Sequence, residues 1–106
     1  MTQISVVVPV FNEEESLPEL TQWISRVMHD HGFSYALIYI NDGSTDNSWG
    51  IINSLSNSAN EVKGINFIRN SGKSAALDAG FKKAGGDVVI TMDADILDSP
   101  DEIPGF

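Results

Sequence analysis

The 106 residues predict one α/β domain, a Rossmann-like parallel sheet of the form βαβαβαβ with strand order 3-2-1-4. Three observations carry that prediction. Four apolar, β-branched runs begin at positions 4, 35, 63 and 87, so their starts lie 31, 28 and 24 residues apart. Helical periodicity fills the gaps between them, and repeats of about 30 residues suit right-handed crossovers onto a parallel sheet. The first, second and fourth runs are almost continuously apolar, as expected of strands covered on both faces.

The first strand is Ile4–Val10 (ISVVVPV). Ser16-Leu17-Pro18-Glu19 then forms a capping-box signature with proline in the first turn. Leu17, Leu20, Ile24, Val27 and Met28 recur at three- and four-residue steps, and Gly32 is the expected C-cap. The second strand is Tyr35–Asn41, followed by N-cap candidates from Ser44 to Asn47 and a helix bearing Trp49, Ile52 and Leu55. Ser56–Asn60 reads as a polar loop and Lys63–Arg69 as the third strand. Ser71–Ala84 reads as a helix packing through Ala76, Leu77, Gly80, Phe81 and Ala84. Asp87–Met92 is the fourth strand. Trp23, Trp49, Phe67 and Phe81 are expected in the core. Ser99-Pro100-Asp101-Glu102 begins another capping box just before Phe106, so the expected unit is the N-terminal part of a longer domain.

Charge and composition narrow the function. Fifteen acids against six bases give a net charge of -9, which disfavours nucleic acid and anionic lipid surfaces. The absence of cysteine excludes disulfides, thiol nucleophiles and zinc–thiolate sites. The apolar runs are too short to span a bilayer, and MTQISVVVPV lacks the basic region and cleavage site of a signal peptide. A cytoplasmic chain is expected.

Ligands of parallel sheets bind beyond the carboxyl ends of the strands, where strand order reverses. With order 3-2-1-4, that point lies between the first and fourth strands. The segments there are Phe11-Asn12-Glu13-Glu14-Glu15, Asp42-Gly43-Ser44-Thr45-Asp46, Asn70-Ser71-Gly72-Lys73 and Asp93-Ala94-Asp95. Asp93 and Asp95 offer hard oxygen donors suited to Mg²⁺ or Mn²⁺, although an acidic turn would look similar. Asp42 suits either a ligand donor or a turn, Asp46 a helix cap, and Glu14 and Glu15 a solvated helix entrance. Gly72-Lys73-Ser74 is not a P-loop, because Phe67 stands where that motif needs glycine. Lys73 at a helix start can still meet a phosphate. His29 and His31 flank a helix end, away from this edge.

ISVVVPVFNEEES, YINDGSTDNS, RNSGKSAALDAG and GGDVVITMDADILDSPDEIP, in this order, resemble the family 2 glycosyltransferases of GT-A fold. More narrowly, they resemble the polyprenyl-phosphate sugar transferases, the dolichyl-phosphate mannose synthase and undecaprenyl-phosphate glycosyltransferase group. The resemblance spans nearly the whole chain. It implies an inverting transfer from a UDP- or GDP-linked sugar to a lipid phosphate or other acceptor. Residues 1–106 would be the donor-binding part, with the acceptor site and any membrane-associated helices lying beyond Phe106. It implies that Pro9, Phe11 and Glu13 line the nucleoside pocket, Asp42 contacts the base, and Gly72 and Lys73 lie near the nucleotide. Asp93 would bind ribose or metal, and Asp95 metal. Leu97 stands where relatives often carry a glutamine that helps to hold the metal. No catalytic base is assigned. For these 106 residues alone the alternative is a nucleotide- or metal-binding fragment without turnover. An uncovered sheet edge is expected to favour self-association. The parent protein would work at the cytoplasmic face of a membrane.

Overall fold

The computed structural model describes residues 3–84 and 88–92. Its elements are β1 (Ile4–Val10), α1 (Leu17–Asp30), β2 (Tyr35–Asp42), α2 (Ser48–Ser58), β3 (Val62–Phe67), α3 (Lys73–Lys83) and β4 (Val88–Thr91). The strands form one parallel sheet in the order β3-β2-β1-β4, as the sequence predicts.

The two-residue alternation of a strand divides the apolar side chains between two layers. Ile4, Val6, Val8 and Val10 of β1, with Leu37 and Tyr39 of β2, join the cluster that takes in α1 and Ile52 of α2. Val7, Ile38 and Ile40 point the other way and pack with Ala76 of α3. The chain moves across the sheet in one direction from β1 to β3, then returns past β2 and β1 to β4. The covering helix changes face at the same step, as a constant crossover hand requires. β1 and the last six residues of β2 are almost wholly buried, which explains their near-continuous apolar sequence.

α1 buries Leu17, Leu20, Thr21, Ile24, Val27 and Met28, a single stripe at helical spacing. Its end has the geometry expected of Gly32. That residue has φ 71°, its N–H donates to the His29 carbonyl at 3.1 Å, and the Phe33 N–H donates to the Met28 carbonyl at 2.9 Å. This double bond pattern is a Schellman motif. Its beginning differs from the capping box. Ser16 already has helical φ and ψ and makes no side-chain cap bond. The Ser16 N–H is drawn to the Glu13 carbonyl at 3.1 Å, so a turn runs straight into the helix and the serine is not extended as a cap must be.

Three further expectations are corrected. α2 continues through Ser58, three residues into the stretch expected to be loop. β4 is not covered on both faces among the described residues, with Val89 43 % exposed. Phe81 is 48 % exposed and not core. The reason lies in Gly80, where an added Cβ would overlap the Val7 side chain and stand 2.9 Å from Ile40 Cδ1. α3 therefore rests on the sheet through Ala76 and Gly80, and the neighbouring Phe81 falls to the side of that narrow contact.

One polar pair is buried within the larger layer. Thr21 Oγ1 donates to the Leu17 carbonyl at 2.8 Å and shares a 2.6 Å hydrogen bond with the Tyr39 hydroxyl. Burial pushes the Tyr39 phenol well above its ordinary value, and the Thr21 bond offsets only part of that. The two substitutions at this pair are expected to differ in cost. Tyr39→Phe leaves Thr21 its carbonyl partner and should cost about 1 kcal/mol, whereas Thr21→Val strands a buried hydroxyl and should cost about 1–3 kcal/mol. Urea unfolding of both variants measures the difference, and equal costs would refute this account of the pair.

Candidate functional site

All four strands are parallel, so their carboxyl ends share one edge of the sheet. β1 and β4 are neighbours there, and the Met92 N–H donates to the Val7 carbonyl at 3.1 Å. Reversal of strand order thus falls between them, at the position where an α/β sheet opens a crevice.

The loops on this edge have left the β-ladder, and their N–H groups find side-chain acceptors in neighbouring loops. After β1, Phe11 is 48 % exposed and Asn12 adopts φ 54°, a left-handed conformation that asparagine tolerates better than most residues. Asn12 Oδ1 accepts from the Thr45 N–H at 2.8 Å and the Asp46 N–H at 3.2 Å. The Asn12 N–H donates to Ser44 Oγ at 3.0 Å, and the Glu13 N–H to Ser48 Oγ at 3.1 Å. Asp46 answers in the other direction. Its Oδ2 accepts from the Glu14 N–H at 3.2 Å, and its Oδ1 accepts from the Ser48 N–H and hydroxyl at 2.9 and 2.6 Å. Desolvation would raise the Asp46 carboxyl, but the Ser48 bonds and the Glu14 amide outweigh it and hold the group below the usual carboxylate range. Asp46 is thus not the N-cap expected from the sequence, since that position falls to Asn47, which makes no side-chain cap bond; Asp46 stands one residue earlier and ties two loops.

Asp42 ends β2 and is only 5 % exposed. Its Oδ1 accepts from the Ser71 N–H at 2.7 Å, and its Oδ2 accepts from Asn70 Nδ2 at 3.3 Å. Asn70 Nδ2 also donates to the Asp42 carbonyl at 3.1 Å. A carboxylate has about four acceptor sites, and these contacts occupy two. The turn reading and the ligand reading of Asp42 are thus compatible. Gly43 follows at φ 71°, and a Cβ there would overlap the Asn70 backbone nitrogen, so the second and third loops touch along their main chains. Behind them, Asn41 Nδ2 donates to Asn66 Oδ1 at 2.8 Å across the β2–β3 pair.

Alternation along the strands puts Pro9 and Asp42 on the α3 side of the sheet, at its carboxyl edge. Gly72 joins them as the residue before α3, with φ 93° and ψ 158°, a region almost restricted to glycine. Pro9 is half-buried, as are Glu13 and Gly72. Of the residues singled out from the sequence, Pro9, Phe11, Glu13, Asp42 and Gly72 come to one edge. The side chain of Lys73, and the whole of Asp93, Asp95 and Leu97, lie outside the described residues. Among the described residues no group of three or more His, Cys, Asp or Glu side chains is arranged to hold a metal ion. Asn12, Ser48 and Asn70 were not singled out as site residues. Only the position of Asn12 two residues after β1, beside Glu13, signals it in the sequence.

A groove of about 460 Å³ lies elsewhere, lined by Arg26 and His29 of α1, Tyr35 of β2, Val62 of β3 and the preceding Glu61. It sits at the amino-terminal edge of the sheet, the wrong end for a ligand of this fold. No described helix is long and apolar enough to cross a membrane.

The family model "Glycosyl transferase family 2" matches residues 5–106, and the chain belongs to that family. It is 44% identical over 105 residues to an undecaprenyl-phosphate 4-deoxy-4-formamido-L-arabinose transferase of Proteus mirabilis, covering 98% of this chain and 32% of that protein. It is 41% identical over 102 residues to the protein of the same name in Pseudomonas fluorescens, covering 95% and 30%. The chain thus spans about a third of the length of these relatives. Among solved structures it resembles the mannosyltransferase PcManGT of Pyrobaculum calidifontis in complex with GDP-Man and Mn²⁺, with TM-score 0.76, 21% identity and coverage of 88% and 27%. It also resembles glucosyl-3-phosphoglycerate synthase of Mycobacterium tuberculosis in complex with Mn²⁺, UDP and phosphoglyceric acid, with TM-score 0.73, 28% identity and coverage of 97% and 37%. These neighbours are GT-A glycosyltransferases, and the fold is the one expected from the sequence.

Two outcomes follow from the loop contacts. Gly43→Ala combines an unfavourable left-handed backbone with an overlap on Asn70, and should destabilise the chain by about 2–4 kcal/mol in chemical unfolding. Asp46 has a lowered folded-state pKa, so its ionised form adds stability that is complete above the unfolded value of about 3.9. That contribution fades as pH falls through the folded value. The stability gap between the wild type and Asp46→Asn should be full at neutral pH and close in acid, and a gap independent of pH would contradict the assignment.

Proposed function

We propose that the chain is the donor-binding part of an inverting glycosyltransferase that moves a sugar from a UDP- or GDP-linked donor to a polyprenyl phosphate. The observation that carries this reading is the gathering of Pro9, Phe11, Glu13, Asp42 and Gly72 at one sheet edge, beside the β1–β4 reversal, in a member of family 2. The names of the two relatives put undecaprenyl phosphate first among acceptors to test.

In this reading Pro9, Phe11 and Glu13 line the nucleoside pocket. Asp42 accepts from an N–H donor of the base with the acceptor sites left by Ser71 and Asn70. Gly72 and Lys73 lie by the phosphates, where the first amides of α3 have no partner within the helix. The paired carboxylates of Asp93 and Asp95 have the donor chemistry to hold Mg²⁺ or Mn²⁺. When bound, such an ion supplies positive charge against a diphosphate leaving group that would otherwise meet a chain of net charge -9. The leaving oxygen departs from the anomeric carbon as the acceptor oxygen attacks from the opposite side, which inverts the centre. A phosphate acceptor is already ionised near neutral pH, so it does not require a general base.

Residues 1–106 correspond to about a third of each curated relative, which favours binding without turnover for these residues by themselves. Transfer belongs to the whole protein, acting at the cytoplasmic face of a membrane where its lipid acceptor is presented. The exposed β4 face is the surface expected to support self-association or to receive further chain.

Calorimetric titration with UDP- and GDP-sugars tests the reading. Binding should require Mg²⁺ or Mn²⁺, and Asp95→Ala should weaken it at least about tenfold, or ~1.4 kcal/mol. Equal affinity in excess EDTA would rule out the metal bridge.

A further inference from the structure

Asn12 is the one non-glycine residue with positive φ among the described residues. Among the described residues, its polar contacts cross to the loop between β2 and α2. Oδ1 accepts from the Thr45 N–H, the Asp46 N–H and, at 3.3 Å, Thr45 Oγ1, while its own N–H donates to Ser44 Oγ. The return contacts come from Asp46 to the Glu14 N–H and from Ser48 to the Glu13 N–H. The two loops thus exchange acceptors for each other's amides, with Asn12 at the centre.

The clasp stands next to the ligand-facing residues on both sides. Phe11 and Glu13 flank Asn12, and Ser44 lies two residues after Asp42. We propose that Asn12 is a positioning residue for nucleotide binding, setting the spacing between the Phe11–Glu13 wall and the Asp42–Asp46 wall of the nucleoside pocket. This rests on the nucleotide reading above. Asn12 orders both walls before a ligand arrives, so the ligand does not bear the entropy of ordering them. Two properties of asparagine are needed together, a side-chain acceptor two bonds beyond Cβ and tolerance of the left-handed backbone.

Substitutions separate those properties. Asn12→Gly keeps the backbone freedom and removes the acceptor. Asn12→Asp keeps both. Ser44→Ala removes only the acceptor for the Asn12 N–H. The intact protein is titrated with UDP and with GDP in the presence of Mn²⁺, well below each variant's unfolding temperature. Amide hydrogen exchange at Thr45 and Asp46 is followed without nucleotide. Asn12→Gly should lose about tenfold or more in nucleotide affinity, with faster exchange at both amides, while Asn12→Asp stays within about fivefold of wild type. Ser44→Ala should show a smaller loss in the same direction, which keeps the test available if Asn12→Gly does not fold. A purely structural role would lower the unfolding temperature and leave the affinity of the folded protein unchanged, and that result overturns the proposal. If the wild type binds neither nucleotide, the nucleotide reading fails. Unaltered exchange at Thr45 and Asp46 in Asn12→Gly would then overturn the clasp as well, whereas accelerated exchange would support it independently of the ligand.

Discussion

Backbone N–H groups that leave a parallel sheet lose their ladder partners together, at one edge, and the rest of this structure depends on how they are satisfied. β1 and β2 are buried on both faces, so the loops at their carboxyl ends stand over a rigid and dry base. Water is available there, but short polar side chains from adjacent loops take most of the work. Asn12 serves Thr45 and Asp46, Asp46 serves Glu14 and Ser48, and Asp42 serves Ser71. Each contact joins a loop to the next one across the sheet or secures the helix that follows it. The result is a rim of linked loops from Phe11 to Gly72.

The same accounting changes the meaning of the acidic composition. Asp42 and Asp46 belong to the excess of fifteen acids over six bases, yet both spend acceptor sites on amides of their own chain. A carboxylate in that position is a structural acceptor first. The acids left for cation chemistry are therefore fewer than the net charge of -9 suggests, and five of the fifteen stand between Asp93 and Glu102.

Much of the fold was legible in the sequence because burial on both faces leaves a strong mark. The strand Ile4–Val10 has its expected bounds, and the expected order 3-2-1-4 is the observed one. Local signals failed where a neighbour overrode them. The Ser16 capping box was undone by a turn from Glu13 that drew the serine into helical geometry. Phe81 lies on an apolar helical stripe, but the close seat of Gly80 on Val7 narrows the contact to a line that Phe81 misses. β4 is as apolar as a central strand, and nothing in its four residues marks an exposed side. Asn12 escaped notice for a different reason, since its partners lie more than 30 positions along the chain and meet it only after the sheet has formed. Asp42 was ambiguous between turn and ligand because a buried carboxylate with several acceptor sites can serve both.

The proposed nucleotide site is this rim, and not the groove between α1 and β2–β3. Amide chemical-shift mapping of the protein with UDP or GDP and Mg²⁺ tests it most directly. The account predicts perturbations concentrated at Phe11–Glu13, Asp42–Asp46 and Asn70–Gly72, with little change at Arg26, His29 and Glu61. Perturbations centred on Arg26, His29 and Glu61, with the rim unchanged, would contradict it.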